Sequence, residues 1–283
     1  MADLHSDSLI PDTMPAATQR VAKSNIVLAV LKAVLLIGWI VIGAIVMALA
    51  RLLNLSSWIA GFPLVFHGVV ARFFFNMRCE FSGELHLDRP TMYVANHASY
   101  LDVFVLGGRI PGAFVAKSEV AGWPVFGKLA KLQNTMFLER KAQRAATQIV
   151  QVRDWLLEET NLILFPEGTS TSGDWVAPFR SSLFASAEGS RITVQPLTVV
   201  YRDYQGNPMS PADRDFYAWY LPDPKQAIPN APFAKHFFTA LGLGPSRVKV
   251  IFHPPMQVPA GDRKQAAQLC EDAVRQALEA ELT

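Results

Sequence analysis

The sequence is poor in charged residues and in cysteine. Charged residues make up 18% of the chain and the mean hydropathy is +0.20, whereas a soluble domain typically has about 25% charged residues. The formal net charge of +2 is too small to indicate a nucleic-acid partner. The two cysteines, Cys79 and Cys270, have no metal-ligand neighbours at a usable spacing. We therefore expect two reduced thiols and no metal site.

The chain also lacks a Gly-x-Ser-x-Gly segment, which presents the nucleophilic serine of α/β hydrolases. It contains no internal repeat and no low-complexity block. A serine nucleophile is therefore not evident, and any catalytic chemistry has to come from other residues.

A long apolar run lies near the N-terminus. Residues 26–50 contain a single charge, Lys32, and as a helix they would span roughly 37 Å at about 1.5 Å per residue. Because the hydrocarbon core of a bilayer is about 30 Å thick, this length predicts a membrane helix. The competing interpretation is a signal peptide, but the run is too long for one and no small-residue cleavage site precedes Arg51.

A second apolar stretch covers residues 58–75 and is interrupted by Pro63, His67 and Arg72. Two interpretations stay open for it. It forms either the second arm of a helical hairpin that dips into one leaflet or a core helix of the following domain. Basic residues flank the first run on both sides, so they do not fix an orientation in the membrane.

Beyond about residue 82, short apolar runs alternate with helical stretches. This alternation predicts an α/β domain with a mixed, largely parallel sheet flanked by helices. Catalytic residues are expected just beyond the carboxyl ends of its strands. The region 202–245 is rich in proline and aromatics and gives no clear pattern. The predicted strands are 92–95, 113–116, 135–138, 162–165, 193–201 and 247–252, and the predicted helices are 101–107, 142–158, 181–188 and 262–281.

The first candidate motif is Asn-His-x-x-x-x-Asp, which places His97 just past a predicted strand and Asp102 at a helix start. A short turn would bring the carboxylate to Nδ1–H of the imidazole and fix its tautomer, which leaves Nε2 free to take a proton from a hydroxyl. Without an enzymic nucleophile, such a pair suits direct transfer of an acyl group to an alcohol. The alternative is a helix N-terminus with Ser99 as the cap and His97 as an ordinary loop histidine.

The second candidate motif is Phe-Pro-Glu-Gly-Thr at residues 165–169, which also follows a predicted strand. Its glycine and hydroxyls could offer donors to an anion or a polar headgroup, and Glu167 could bind hydroxyls of an acceptor. The alternative is an ordinary turn after a buried strand. Arg140 and Lys117 each follow a predicted strand and are either ligands for an anion or solvated cations.

Together these blocks resemble the glycerolipid acyltransferase family, which includes lysophosphatidic acid acyltransferases. The resemblance covers about residues 80–260. Its blocks, in the order of that family, are His97–x4–Asp102, Phe137–Arg140, Phe165–Thr169 and Val194–Leu197.

The resemblance implies a role for each matched residue. His97 would be the general base, oriented by Asp102, and Pro196 would shape the pocket floor. A role for Lys117 in stabilising the oxyanion is a hypothesis. The residues expected to bind the acceptor are Arg140, Glu167, Gly168 and Thr169.

The resemblance also implies a membrane lipid as the acceptor and an acyl-CoA or acyl carrier protein thioester as the donor. No metal, prosthetic cofactor or nucleic acid is expected. The expected location is the bacterial inner membrane, with the active site on its cytoplasmic face. We expect a disordered tail at residues 1–19, membrane-anchoring helices at 20–78 and a single acyltransferase domain at 79–283.

One departure from the family bears on the acceptor. Members that act on phosphate-bearing acceptors commonly have arginine after Glu-Gly-Thr, and here that position is Ser170. The stretches 123–133 and 181–184 look like bacterial lyso-ornithine lipid acyltransferases, which esterify a phosphorus-free aminolipid. Lyso-ornithine lipid and lysophosphatidate therefore both stay candidates. The alternatives to an acyltransferase are a membrane-anchored lipid hydrolase and a non-enzymatic lipid-binding protein.

Overall fold

A computed structural model describes residues 23–88, 90–123, 126–139, 144–158, 160–220 and 232–283. The tail expected at residues 1–19 and the side chain of Arg140 lie outside the described residues. Cys79 and Cys270 are both free thiols, as the sequence predicts.

The described residues form helices and strands that alternate through most of the chain. The helices are α1 (Ile26–Leu52), α2 (Ser56–Val69), α3 (Leu101–Gly107), α4 (Phe126–Leu132), α5 (Ala145–Leu157), α6 (Ser181–Phe184), α7 (Pro211–Arg214), α8 (Phe233–Leu241) and α9 (Arg263–Leu282). A π-helical turn at Val70–Phe74 continues α2, and a 3₁₀ turn occupies Ser118–Gly122. The strands are β1 (Met77–Ser82), β2 (Thr91–Ala95), β3 (Ala113–Lys117), β4 (Met136–Leu138), β5 (Leu162–Leu164), β6 (Thr193–Arg202), β7 (Ser246–Phe252) and β8 (Met256–Gln257).

These strands form one sheet in the order β1-β7-β6-β2-β5-β3-β4, with β8 paired to β6. Only β6–β7 and β6–β8 pair antiparallel, so the predicted mixed, largely parallel sheet is confirmed. β2 lies centrally and all five of its residues are buried, which is typical of a parallel strand covered on both faces.

Helices cover both faces of the sheet. One apolar core joins the sheet to α1, α2, α3 and α8 through residues such as Phe66, Leu106 and Leu241. The other joins it to α5, α6 and α9 through residues such as Leu156 and Val274. The helix expected at 181–188 is shorter in the structure, because α6 ends at Phe184 and is followed by turns.

The two N-terminal helices pack against each other as a hairpin. By length and composition alone, α1 and the segment Ser56–Phe74, which joins α2 to the π-helical turn, could each cross a membrane. Trp39 of α1 stacks on Phe66 of α2 at a centroid distance of 5.9 Å. Lys32, the one charge of the first apolar run, is buried and donates to the carbonyl of Phe74 at 2.8 Å. The end of α2 and the π-helical turn enter the core of the domain through Phe66 and Val70, as the core-helix interpretation predicts. The hairpin that dips into one leaflet stays a prediction.

Pro196 lies inside the central strand β6, where a missing N–H normally costs a ladder hydrogen bond. Its carbonyl accepts from the backbone N–H of His253 at 3.0 Å, so its ring nitrogen faces the same side of the strand. On that side β6 changes partner, from β8 at Val194 to β7 at Leu197. Proline is tolerated here because no ladder donor is required at the change of partner.

Candidate active site

Asn96 explains why the chain turns where β2 ends. Its side-chain oxygen accepts from the backbone N–H of Val199 at 2.7 Å, and its side-chain nitrogen donates to the Val199 carbonyl at 3.0 Å. The amide therefore pairs with β6 as another strand residue would. This pairing leaves the backbone free to turn and carries His97 to the carboxyl edge of the sheet.

His97 and Asp102 lie in contact, as the motif spacing predicts. Nδ1 of His97 is 2.8 Å from Oδ2 of Asp102. The same carboxylate oxygen accepts from the backbone N–H groups of Ala98 at 2.9 Å and Ser99 at 3.0 Å. No side-chain hydrogen bond caps α3, and the Ser99 hydroxyl is buried without a partner among the described residues. The alternative in which Ser99 caps the helix is therefore not what forms.

The second oxygen of Asp102 is bound by Tyr201, a residue that the sequence did not indicate. The Tyr201 hydroxyl donates to Oδ1 at 2.5 Å, and burial raises the pKa of Tyr201 well above its usual value. Tyr201 therefore stays protonated as a donor. With His97 in the Nδ1–H tautomer, four donors converge on one fully buried carboxylate.

The ring face of the His97 imidazole is also in contact with the protein. Its ring stacks on Phe165 with centroids 4.0 Å apart and planes 17° apart, and the side chain is 23% exposed. Nε2 makes no hydrogen bond to a residue that the structure describes. The geometry leaves a fixed, solvent-reachable nitrogen that can accept a proton.

Glu167 connects the two motifs. Its Oε1 accepts from the backbone N–H of His97 at 2.7 Å, and its Oε2 accepts from Ala177 at 2.8 Å. The residue is 3% exposed. Burial raises its pKa to about 8, while the N–H groups of Ala177 and His97 lower it. Binding of the acceptor by Glu167 stays a prediction, and in this structure both of its oxygens serve the protein backbone.

The residues after Glu167 continue the same junction. The backbone N–H of Thr171 donates to the His97 carbonyl at 2.8 Å, and the Ser170 hydroxyl donates to the Trp219 carbonyl at 2.7 Å. The N–H of Trp219 in turn donates to the Ala98 carbonyl at 2.8 Å. Residues 97–98, residues 170–171 and Trp219 are therefore tied together next to the backbone of His97.

The strand order explains which predicted residues share this edge. β2, β5 and β3 are parallel neighbours, so their carboxyl ends bring His97, the 165–169 turn and Lys117 to one side of the sheet. The Thr169 hydroxyl makes a long contact of 3.5 Å to the Ser170 carbonyl. Pro196 lies opposite Val94, inside the sheet and before that edge.

A sequence model of the Acyltransferase family matches residues 76–200, which include both motifs. The lyso-ornithine lipid O-acyltransferase of Brucella abortus is 35% identical over 237 residues, which are 80% of this chain and 85% of that protein. The chain belongs to the acyltransferase family. The corresponding acyltransferase of Rhizobium meliloti, also called lyso-ornithine lipid O-acyltransferase, is 32% identical over 74% of this chain and 72% of its own length.

Relatives with a phosphate-bearing acceptor in their name match a shorter part of this chain. The 1-acyl-sn-glycerol-3-phosphate acyltransferase of Neisseria gonorrhoeae is 34% identical over 41% of this chain and 46% of its own length. The fold resembles the crystal structure of the 1-acyl-sn-glycerophosphate acyltransferase of Thermotoga maritima, with a TM-score of 0.63, 20% identity, and coverage of 90% and 95% of the two chains. The protein is accordingly a lysolipid acyltransferase.

The first prediction concerns Tyr201→Phe, which removes one donor from the Asp102 carboxylate. Hydrogen bonds to charged groups contribute about 1.5–3 kcal/mol, so we expect kcat to fall roughly 10- to 100-fold with little change in the KM for the acceptor. The control is Tyr217→Phe, which deletes another buried tyrosine hydroxyl, near Tyr201 but not hydrogen-bonded to Asp102. Equal kcat values for the two variants would contradict this role of Tyr201.

The second prediction concerns Glu167→Gln. A glutamine has one acceptor oxygen, so its NH₂ group must face one of the two backbone N–H donors and leave that donor unpaired. We expect thermal unfolding in detergent to reveal a loss of about 1–3 kcal/mol, whereas Glu158→Gln on the exposed end of α5 should be neutral. Unchanged stability together with a raised KM for the acceptor would instead support direct binding of the acceptor by Glu167.

Proposed function

We propose that this protein moves a fatty acyl chain from a thioester to the hydroxyl of a lysolipid, with His97 as the general base. Nε2 takes the hydroxyl proton as the acceptor oxygen attacks the thioester carbonyl. The tetrahedral intermediate then collapses, the C–S bond breaks, and the departing thiolate takes the proton from the imidazolium. The observation that carries this proposal is the contact of 2.8 Å between Nδ1 of His97 and the buried Asp102.

The acceptor in this proposal is lyso-ornithine lipid, with 1-acylglycerol-3-phosphate as a second acceptor. The relatives that match most of this chain carry the former name, and the product would be ornithine lipid. Ser170 supports the same choice, because its hydroxyl is bonded to the Trp219 carbonyl and the position supplies no cation for a phosphate monoester.

The proposed donor is acyl-CoA or acyl carrier protein, and the thioester itself supplies the activated carbonyl. Lys117 ends β3 on the catalytic edge and is proposed to stabilise the oxyanion of the tetrahedral intermediate. The apolar hairpin of α1 and α2 supports attachment to a membrane. The proposed location is the bacterial inner membrane, with the catalytic edge on the cytoplasmic face. That face has access to both thioester donors.

The third prediction tests the base. His97→Ala should abolish acyl transfer while the protein still folds and floats with lipid vesicles. Thermal unfolding should reveal a loss of about 1–3 kcal/mol, because the buried Asp102 loses one of its donors. His86→Ala is a control that removes a histidine outside the catalytic pair. Most of the activity remaining in His97→Ala would exclude the mechanism.

Release of free fatty acid by the wild type without an acceptor would indicate a lipid hydrolase. Lipid binding without turnover would indicate a lipid-binding protein.

The fourth prediction compares the acceptors. Purified protein with one acyl donor should turn over lyso-ornithine lipid measurably in parallel assays with lysophosphatidate. Ser170→Arg restores the arginine that is common in phosphate-acceptor members and should raise the ratio of kcat/KM for lysophosphatidate over lyso-ornithine lipid, with Ser170→Ala as the control for loss of the Trp219 contact. Wild-type activity on lysophosphatidate alone would contradict the weight placed on Ser170.

A further inference from the structure

The guanidinium group of Arg180 lies against the Phe-Pro-Glu-Gly turn of the active site. The backbone N–H of Arg180 donates to the Pro166 carbonyl at 3.0 Å, and its side chain folds back over Gly168. A Cβ atom at position 168 would lie 2.7 Å from Cζ of Arg180 and 2.8 Å from its Nε. Gly168 also has a φ of +67°, so backbone conformation and close packing both require glycine there.

Arg180 differs from the arginines that stabilise the fold. Arg202, Arg214 and Arg247 form ion pairs with Glu281, Asp174 and Glu80, respectively, whereas Arg180 is exposed and forms no ion pair with a residue that the structure describes. Asp174, the acidic residue nearest to Arg180 in sequence, is paired with Arg214. Glu167, in the turn that Arg180 contacts, is buried and uses both oxygens for backbone N–H groups. The charge of Arg180 is therefore available to a ligand.

The same short turn contacts the proposed base at its other end. Phe165 stacks on the imidazole of His97, and the N–H of Gly168 donates to the Phe165 carbonyl at 3.0 Å, which closes the turn. A headgroup bound by Arg180 would thus lie at one end of the turn whose other end contacts the base. Ser170, which follows this turn, has its hydroxyl bonded to the Trp219 carbonyl, whereas Arg180 places a cation at the turn itself.

We propose that Arg180 binds the anionic group of the acceptor headgroup and so contributes to acceptor specificity. The planar fork of a guanidinium matches a carboxylate or a phosphate with two parallel hydrogen bonds. The carboxylate of an ornithine headgroup and the phosphate of a lysophosphatidate are the two candidate sources of that anion. This inference rests on the proposed function, because it assigns a residue to the acceptor of that reaction.

The test is steady-state kinetics of Arg180→Gln and Arg180→Lys, with acceptor and donor varied separately. For lyso-ornithine lipid we expect Arg180→Gln to raise the KM for the acceptor roughly 10- to 100-fold, the range for losing hydrogen bonds to a charged group. The KM for the donor should not change. Arg180→Lys should raise the KM for the acceptor less than Arg180→Gln does, because lysine keeps the positive charge but lacks the planar guanidinium that forms two parallel hydrogen bonds. Lys264→Gln, on the exposed first turn of α9, is the control for loss of one positive charge.

A modified acceptor separates binding from a structural effect. For lyso-ornithine lipid with its carboxylate converted to a primary amide, wild type and Arg180→Gln should have KM values within about 2-fold, since the modified headgroup has no anion for the arginine to bind. A larger effect of Arg180→Gln on lysophosphatidate than on lyso-ornithine lipid would assign the site to the phosphate source.

Two results would overturn the inference: an unchanged KM for both acceptors, or an increase confined to the KM for the donor, which would place a donor phosphate at Arg180. A wild type inactive on both acceptors would instead refute the proposed function.

Discussion

Four hydrogen-bond donors converge on the carboxylate of Asp102, and the arrangement of the active site depends on that convergence. A buried carboxylate destabilises the folded state unless its oxygens accept hydrogen bonds. Here Oδ2 accepts from His97, Ala98 and Ser99, and Oδ1 accepts from Tyr201. The loop after β2 must therefore wrap around the side chain. Since Tyr201 comes from β6, the neighbour of β2 in the sheet, the orientation of the proposed base is built into the strand order.

A second carboxylate fixes the loop from the opposite side. Glu167 follows β5, on the other flank of β2, and binds the backbone of both His97 and Ala177. The imidazole is thus held from both neighbouring strands, a preorganisation that direct acyl transfer requires because no covalent intermediate keeps the reactants together. Arg180 takes no part in these contacts and is exposed, so the proposed base is held in place while the proposed headgroup site is open to solvent.

Regular elements with strong periodicity were predictable from the sequence. The bounds of α3 agree with the prediction, and those of β3 and β6 agree to within one residue, because each is a clear apolar run. β1 was not predicted, since it is a short edge strand of mixed polarity, and α8 follows a segment without a readable pattern. The contact between His97 and Asp102 was predictable because it is local. Tyr201 and the pairing of Asn96 with Val199 depend on contacts about a hundred residues apart, which no local pattern encodes.

In the proposed mechanism the acyl chain passes directly from the thioester to the lipid hydroxyl, without an intermediate on the protein. Intact-mass spectrometry tests this transfer most directly. The enzyme is quenched by acid after incubation with the acyl donor alone, under conditions in which added lysolipid is turned over. We expect the unmodified mass, because His97 acts on a proton and its Nε2 makes no hydrogen bond to a serine hydroxyl among the described residues. A mass increased by one acyl group, and lost when lysolipid is added, would contradict it.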